Sequence, residues 1–133
     1  YMMAQLTLPL KPMSVAVGYE VLGSDGGLVA FKTPLATLHK FQGWGDKFLG
    51  TPTNGVEDTY LKFSGKLGAA KLALIVHDFK ADFGRADLGS ELDVVATYPI
   101  NKTVSVQLKY ASYDADTHAS NTDKFWMTVN AKF

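Results

Sequence analysis

The sequence predicts an all-β chain of antiparallel up-and-down hairpins, about seven strands that form part of a larger barrel, and three observations predict it. Apolar and polar residues alternate with a period of two through most of the chain, tight turns alternate with long polar links, and the last strand keeps its alternation up to an aromatic final residue. A period of two is the side-chain period of a strand whose two faces meet different surroundings.

The first hairpin places Ala4, Leu6 and Leu8 before Pro9-Leu10-Lys11-Pro12, after which Met13, Val15, Val17, Tyr19 and Val21 alternate with Ser14, Ala16, Gly18 and Glu20. The second joins a strand over residues 58–64, through Gly65-Lys66-Leu67-Gly68, to one in which Leu72, Leu74 and Val76 oppose Lys71, Ala73, Ile75 and His77. In the third, Leu92, Val94, Ala96 and Tyr98 oppose Glu91, Asp93, Val95 and Thr97, and only Val95 breaks the pattern. Pro99-Ile100-Asn101-Lys102 then reverses the chain, because proline fixes φ and asparagine tolerates left-handed geometry. Val104, Val106, Leu108 and Tyr110 follow against Ser105, Gln107 and Lys109. The last strand sets Phe125, Met127, Val129, Ala131 and Phe133 against Lys124, Trp126, Thr128, Asn130 and Lys132.

Three tight turns therefore alternate with three longer links, residues 23–55, 81–90 and 114–122. Short turns on one rim and long loops on the other are the habit of bacterial outer-membrane barrels. The expected location is the bacterial outer membrane, with one strand face on the lipid bilayer and the other on water. Single-chain bacterial barrels close with an even number of strands, at least eight. An odd count of seven thus reads as the C-terminal portion of a larger β-barrel, a single segment over residues 1–133. Tyr1, followed by neither a basic nor an apolar leader, reads as an internal or processed start.

Composition excludes other classes. Thirteen basic residues balance thirteen acidic ones, so no field favours a nucleic acid. Cysteine is absent, which removes disulfides and thiolate metal sites. No apolar run approaches the ~20 residues of a spanning helix, so a membrane would be crossed by strands.

The link over residues 23–55 is too long for a plain turn. Leu35, Leu38, Phe41, Trp44 and Phe48 recur at spacings of three or four, which predicts a short helix after Pro34, weakened by Gly43 and Gly45. Four strings carry a resemblance: FKTPLATLHKFQGWGDKFLGTP (31–52), HDFKADFG (77–84), SELDVV (90–95) and YASYDAD (110–116). Over residues 31–133 the chain resembles the C-terminal third of the alginate-export porin family, the loop string being the most distinctive. The resemblance implies a monomeric outer-membrane channel that passes an anionic polysaccharide or another small hydrophilic solute, with loops folded over or into the pore. The terminal strand ending at Phe133 resembles the segment that outer-membrane proteins present to the barrel-assembly machinery.

The residues expected to line the pore on the inward face are Lys71, His77, Glu91, Asp93, Gln107, Lys109 and Lys124. His39, Lys40, Trp44, Asp46 and Lys47 are expected in a constriction loop. A polyuronate path should be rich in arginine, whose rigid fork pairs carboxylates. Arg85 is the only one in the chain, and the expected lining mixes lysines with Glu91 and Asp93. A strongly anion-selective wall is therefore not expected, and a porin for uncharged or mixed solutes is an equal reading.

His77 and Asp78 point to opposite strand faces and cannot share a site. His39 and Asp46 pair within the loop at most, and His118 reads as an ordinary loop residue. Asp78, Asp82, Asp114 and Asp116 could hold Ca²⁺, but solvated loop carboxylates are favoured, and no metal or cofactor is expected. Gly65, Gly68 and Asp25-Gly26-Gly27 read as turns rather than a phosphate cradle. Tyr19, Tyr98 and Tyr110 suit an aromatic girdle. No nucleophile and base stand at workable spacing, so the chain is not expected to be an enzyme. The expected function is passive transport through an outer-membrane porin, with a soluble β-barrel or β-sandwich binding module as the alternative. An isolated fragment with open sheet edges is expected to self-associate.

Overall fold

A computed structural model describes residues 1–34 and 38–132. The main sheet has seven antiparallel strands: β1 (Met2–Leu10), β2 (Met13–Leu22), β5 (Val56–Leu67), β6 (Ala70–Lys80), β7 (Asp87–Pro99), β8 (Val104–Ala115) and β9 (Thr122–Ala131). They run in the order β1-β2-β5-β6-β7-β8-β9, each hydrogen-bonded to its neighbour in sequence. A two-stranded ribbon, β3 (Ser24–Asp25) with β4 (Val29–Ala30), sits in the long link. Among the described residues β1 and β9 are the sheet's two edges, and the barrel is not closed.

The register separates two faces. One carries Val15, Val17, Leu61, Phe63, Leu72, Leu74, Val76, Leu92, Val94, Val106, Leu108, Phe125, Met127 and Val129. This face is bare: Phe125 and Met127 are each 65% exposed. The other bears Ser14, Glu20, Asp58, Tyr60, Lys62, His77, Glu91, Asp93, Gln107, Lys109, Lys124 and Trp126, together with Phe79 and Tyr113, and the long link folds onto it. The buried core lies here, at the long-link end, where Phe48 packs on Leu22, Val56, Phe79, Ala81, Leu88 and Tyr113. Gly18 leaves room for the Tyr60 ring, since a Cβ there would stand 2.0 Å from the ring carbon Cζ.

Several local expectations are corrected. Among the described residues no α-helix follows Pro34, and the helical segment there is a 3-10 turn at Leu38–Lys40, while Leu35, Phe133 and the side chain of Leu38 lie outside them. Left-handed backbone at Gln42, Gly43 and Asp46 prevents a continuous helix. Gly65, Lys66 and Leu67 belong to β5, and the turn is Gly68-Ala69, with Gly68 at φ 59. In the third turn Asn101 works through its side chain instead of left-handed backbone: Oδ1 accepts from the backbone N–H groups of Thr103 and Val104, each at 2.8 Å. The other two links shorten to residues 81–86 and 116–121, because the flanking strands extend into them.

Candidate functional site

Residues 38–48 of the long link cross the polar face and are tied to it at three places. Over β7, the Gly45 N–H donates to Glu91 Oε1 at 2.6 Å and the Trp44 N–H to Asp93 Oδ2 at 3.2 Å. Close approach explains the glycines, since a Cβ on Gly43 or Gly45 would stand 2.6 Å from the Glu91 carboxyl. At β8 and β9, Lys109 Nζ donates to His39 Nε2 at 2.7 Å, so His39 Nδ1 carries the hydrogen given to Asp46 Oδ1 at 2.6 Å. Lys124 donates to the other Asp46 oxygen at 2.8 Å. Desolvation opposes the Asp46 carboxylate, but its hydrogen bonds from Lys124 and His39 outweigh that and hold its pKa below the ordinary value. Lys109 also sits over the ring of Trp44 at 4.0 Å and near that of Trp126 at 5.3 Å. At the third anchor Phe48 enters the core and stacks on His118 at 4.9 Å, and a His118 ring nitrogen lies 3.1 Å from the Lys47 carbonyl. His118 is therefore part of the loop's attachment rather than an ordinary loop residue.

Beneath this segment lies a polar cluster that no short stretch of sequence discloses. His77 Nδ1 donates to both Asp58 oxygens at 2.9 and 3.0 Å, and its ring lies between Tyr60 and Phe79. His77 Nε2 is 3.6 Å from Asp93 Oδ2. His77, Asp58, Glu91, Asp93, Glu20 and Gln42 are all buried. Asp78 points to the opposite face, where it pairs with Lys80, and cannot join them.

All seven residues expected to line the pore fall on one face, yet they divide. His77, Glu91 and Asp93 lie on that face but are buried beneath the loop, whose N–H groups reach Glu91 and Asp93. Lys71 is exposed, and Gln107, Lys109 and Lys124 are half-buried. Lys62 and Lys66, which sequence reasoning passed over, share that face. Ion pairs among the described residues leave Lys62, Lys66 and Lys71 without a partner. Of the expected constriction residues, His39, Trp44, Asp46 and Lys47 contact the wall, while Lys40 is exposed beside the Phe41 ring.

Asp82 accepts from the Ser24 N–H at 2.6 Å, and no group of three or more metal-ligating side chains assembles among the described residues. No helix there is long and apolar enough to cross a membrane, which says nothing about strands. Comparison with protein-family models, with curated proteins and with solved structures finds no match.

Proposed function

We propose that this chain is the C-terminal part of a bacterial outer-membrane porin resembling the alginate-export family, and that its polar face lines a passive path for small hydrophilic solutes, anions and acidic saccharides above all. The observation that carries the reading is the shape of the bare apolar face. Towards the long-loop rim its last apolar residue is Val21 on β2, Leu61, Val76 and Leu92 on β5 to β7, and Tyr110 and Phe125 on β8 and β9. Beyond them stand Thr59, Asp78, Ser90, Ser112 and Asp123. Followed through the register, this border falls between β2 and β5 and again between β7 and β8 and is level elsewhere, and the opposite border, from Met13 through Leu67 and Tyr98 to Val104 and Ala131, falls at the same two steps. Averaged over the sheet the drop is about one residue per strand, and about 3.3 Å of rise against about 4.8 Å of strand spacing corresponds to a tilt of roughly 35°. A membrane plane cutting across tilted barrel strands leaves such an oblique band. The main strands of 9 to 13 residues suit the ~9–11 that cross a bilayer. At the upper border the Tyr110 hydroxyl donates to Asp123 at 2.6 Å, a ring on the apolar side with its polar end at the edge, as in an aromatic girdle.

The solute preference comes from the divided polar face. Its carboxylates are covered or paired, whereas Lys62, Lys66 and Lys71 meet solvent, so the accessible charge is cationic despite a net charge of zero. A planar bilayer containing the full-length protein should conduct with a preference for anions, and Lys62→Glu/Lys66→Glu/Lys71→Glu should reverse it. Unchanged selectivity in the triple variant would remove the anion preference. A lipid-free, monodisperse protein that never inserts would remove the porin reading itself.

A further inference from the structure

We propose that the short-turn rim docks on anionic phospholipid headgroups, and that this contact sets which leaflet receives that end of the sheet. The inference rests on the porin reading, because it needs the bare apolar face to lie in a bilayer. Charge is divided between the two ends of the strands. The short-turn end carries Lys11, Lys66, Lys71, Lys102 and Lys132, whereas residues 1–19, 59–77, 94–113 and 124–133, which build that end, contain no Asp or Glu. All thirteen acidic residues lie nearer the long links. Solubility is served by a mixture of both signs. Exclusion of one sign from one rim points instead to a partner of the opposite charge. Lys66 and Lys71 even stand directly opposite each other in the β5–β6 register, a like-charge pair that costs stability unless anions from outside screen it.

The partner lies against the apolar band. The short-turn border of the band passes through Leu67 and Tyr98, and these two, with Leu10 and Ile100 at the turns, are each more than half exposed. Lys11 follows Leu10, Lys102 stands two residues beyond Ile100, and both are exposed. Neither belongs to an ion pair among the described residues. Apolar side chains at the depth of the acyl chains thus adjoin ammonium groups at the depth of the phosphates, the arrangement that holds a polybasic segment on an anionic leaflet. Lys66 and Lys71 belong to the polar face and add to the field without being needed for the contact. At the other border Asp78 and Asp123 stand on the bare face just beyond the band, where they oppose the same headgroups. The two rims therefore discriminate between leaflets by charge.

The test places the full-length protein in phosphatidylcholine bilayers that contain a trace of spin-labelled lipid, so that magnetic resonance reports which lipid the protein surface holds. Spin-labelled phosphatidylglycerol should associate about fivefold more strongly than spin-labelled phosphatidylcholine at low salt, roughly the effect of one lysine at a charged surface. The preference should fade at about 1 M salt, where the Debye length shrinks to about 3 Å. Lys11→Gln/Lys102→Gln should bring the two lipids to parity, and Lys11→Arg/Lys102→Arg should keep the preference. Lys32→Gln/Lys80→Gln removes the same charge from the long-link rim and should leave the preference where it was. A parent without preference, a preference that survives Lys11→Gln/Lys102→Gln, or an equal loss in the long-link variant overturns the headgroup contact and leaves the porin reading standing. A protein that holds neither lipid removes the porin reading and the contact with it.

Discussion

Asp46 binds two partners at once, Lys124 directly and Lys109 through His39, which makes its carboxylate the acid-sensitive point of the loop. Its folded pKa is depressed, so its contribution is fully present above the unfolded value of about 3.9 and disappears as pH falls through the lower folded value. Loop docking, read from Trp44 emission, should therefore weaken below about pH 4. Asp46→Asn should flatten this acid limb and cost roughly 0.5–1 kcal/mol of docking at neutral pH, the range for a partly exposed pair. The pairing of His39 with Asp46 was legible because seven residues separate them in one loop. The Asp58–His77 pair was not, because its partners lie on neighbouring strands 19 residues apart.

Each strand contributes one row of side chains to the bare apolar face and one to the polar face, so under the porin proposal neighbouring positions should tolerate charge very differently. Leu108→Lys places an ammonium in the apolar band and should cost about 2–4 kcal/mol near the bilayer midplane, whereas Gln107→Lys on the polar face should cost little. Folding into liposomes of the two variants, titrated with urea, would show whether they differ. The long link behaves as an element in its own right, with Phe48 as its buried anchor at 3% exposure. Phe48→Ala should destabilise the docked loop by about 3–5 kcal/mol, measured as faster proteolysis within residues 38–48 and an earlier urea transition. Its apolar spacing correctly marked a packed segment. The expected helix failed because left-handed positions at Gln42, Gly43 and Asp46 turn the chain so that successive backbone N–H groups face Asp93 and Glu91.

Among the described residues the sheet has two unpaired edges and one uncovered apolar face. The 133-residue chain by itself should therefore associate, giving oligomers by sedimentation in detergent, while a longer chain whose added strands close the proposed barrel should sediment as a single species. A monodisperse monomer of the short chain would show that its edges are satisfied some other way. The sequence alone determined the two faces, the hairpin order and the division into short-turn and long-link rims. These follow from a period of two and from turn residues, both local properties of the chain. Only the tertiary structure decided which charges meet solvent. Gly45 reaches Glu91 across 46 residues and Trp44 reaches Asp93 across 49, and those contacts cover the acids while leaving Lys62, Lys66 and Lys71 open. Such encounters depend on the register between distant strands and on where a loop lands, quantities that no local pattern encodes.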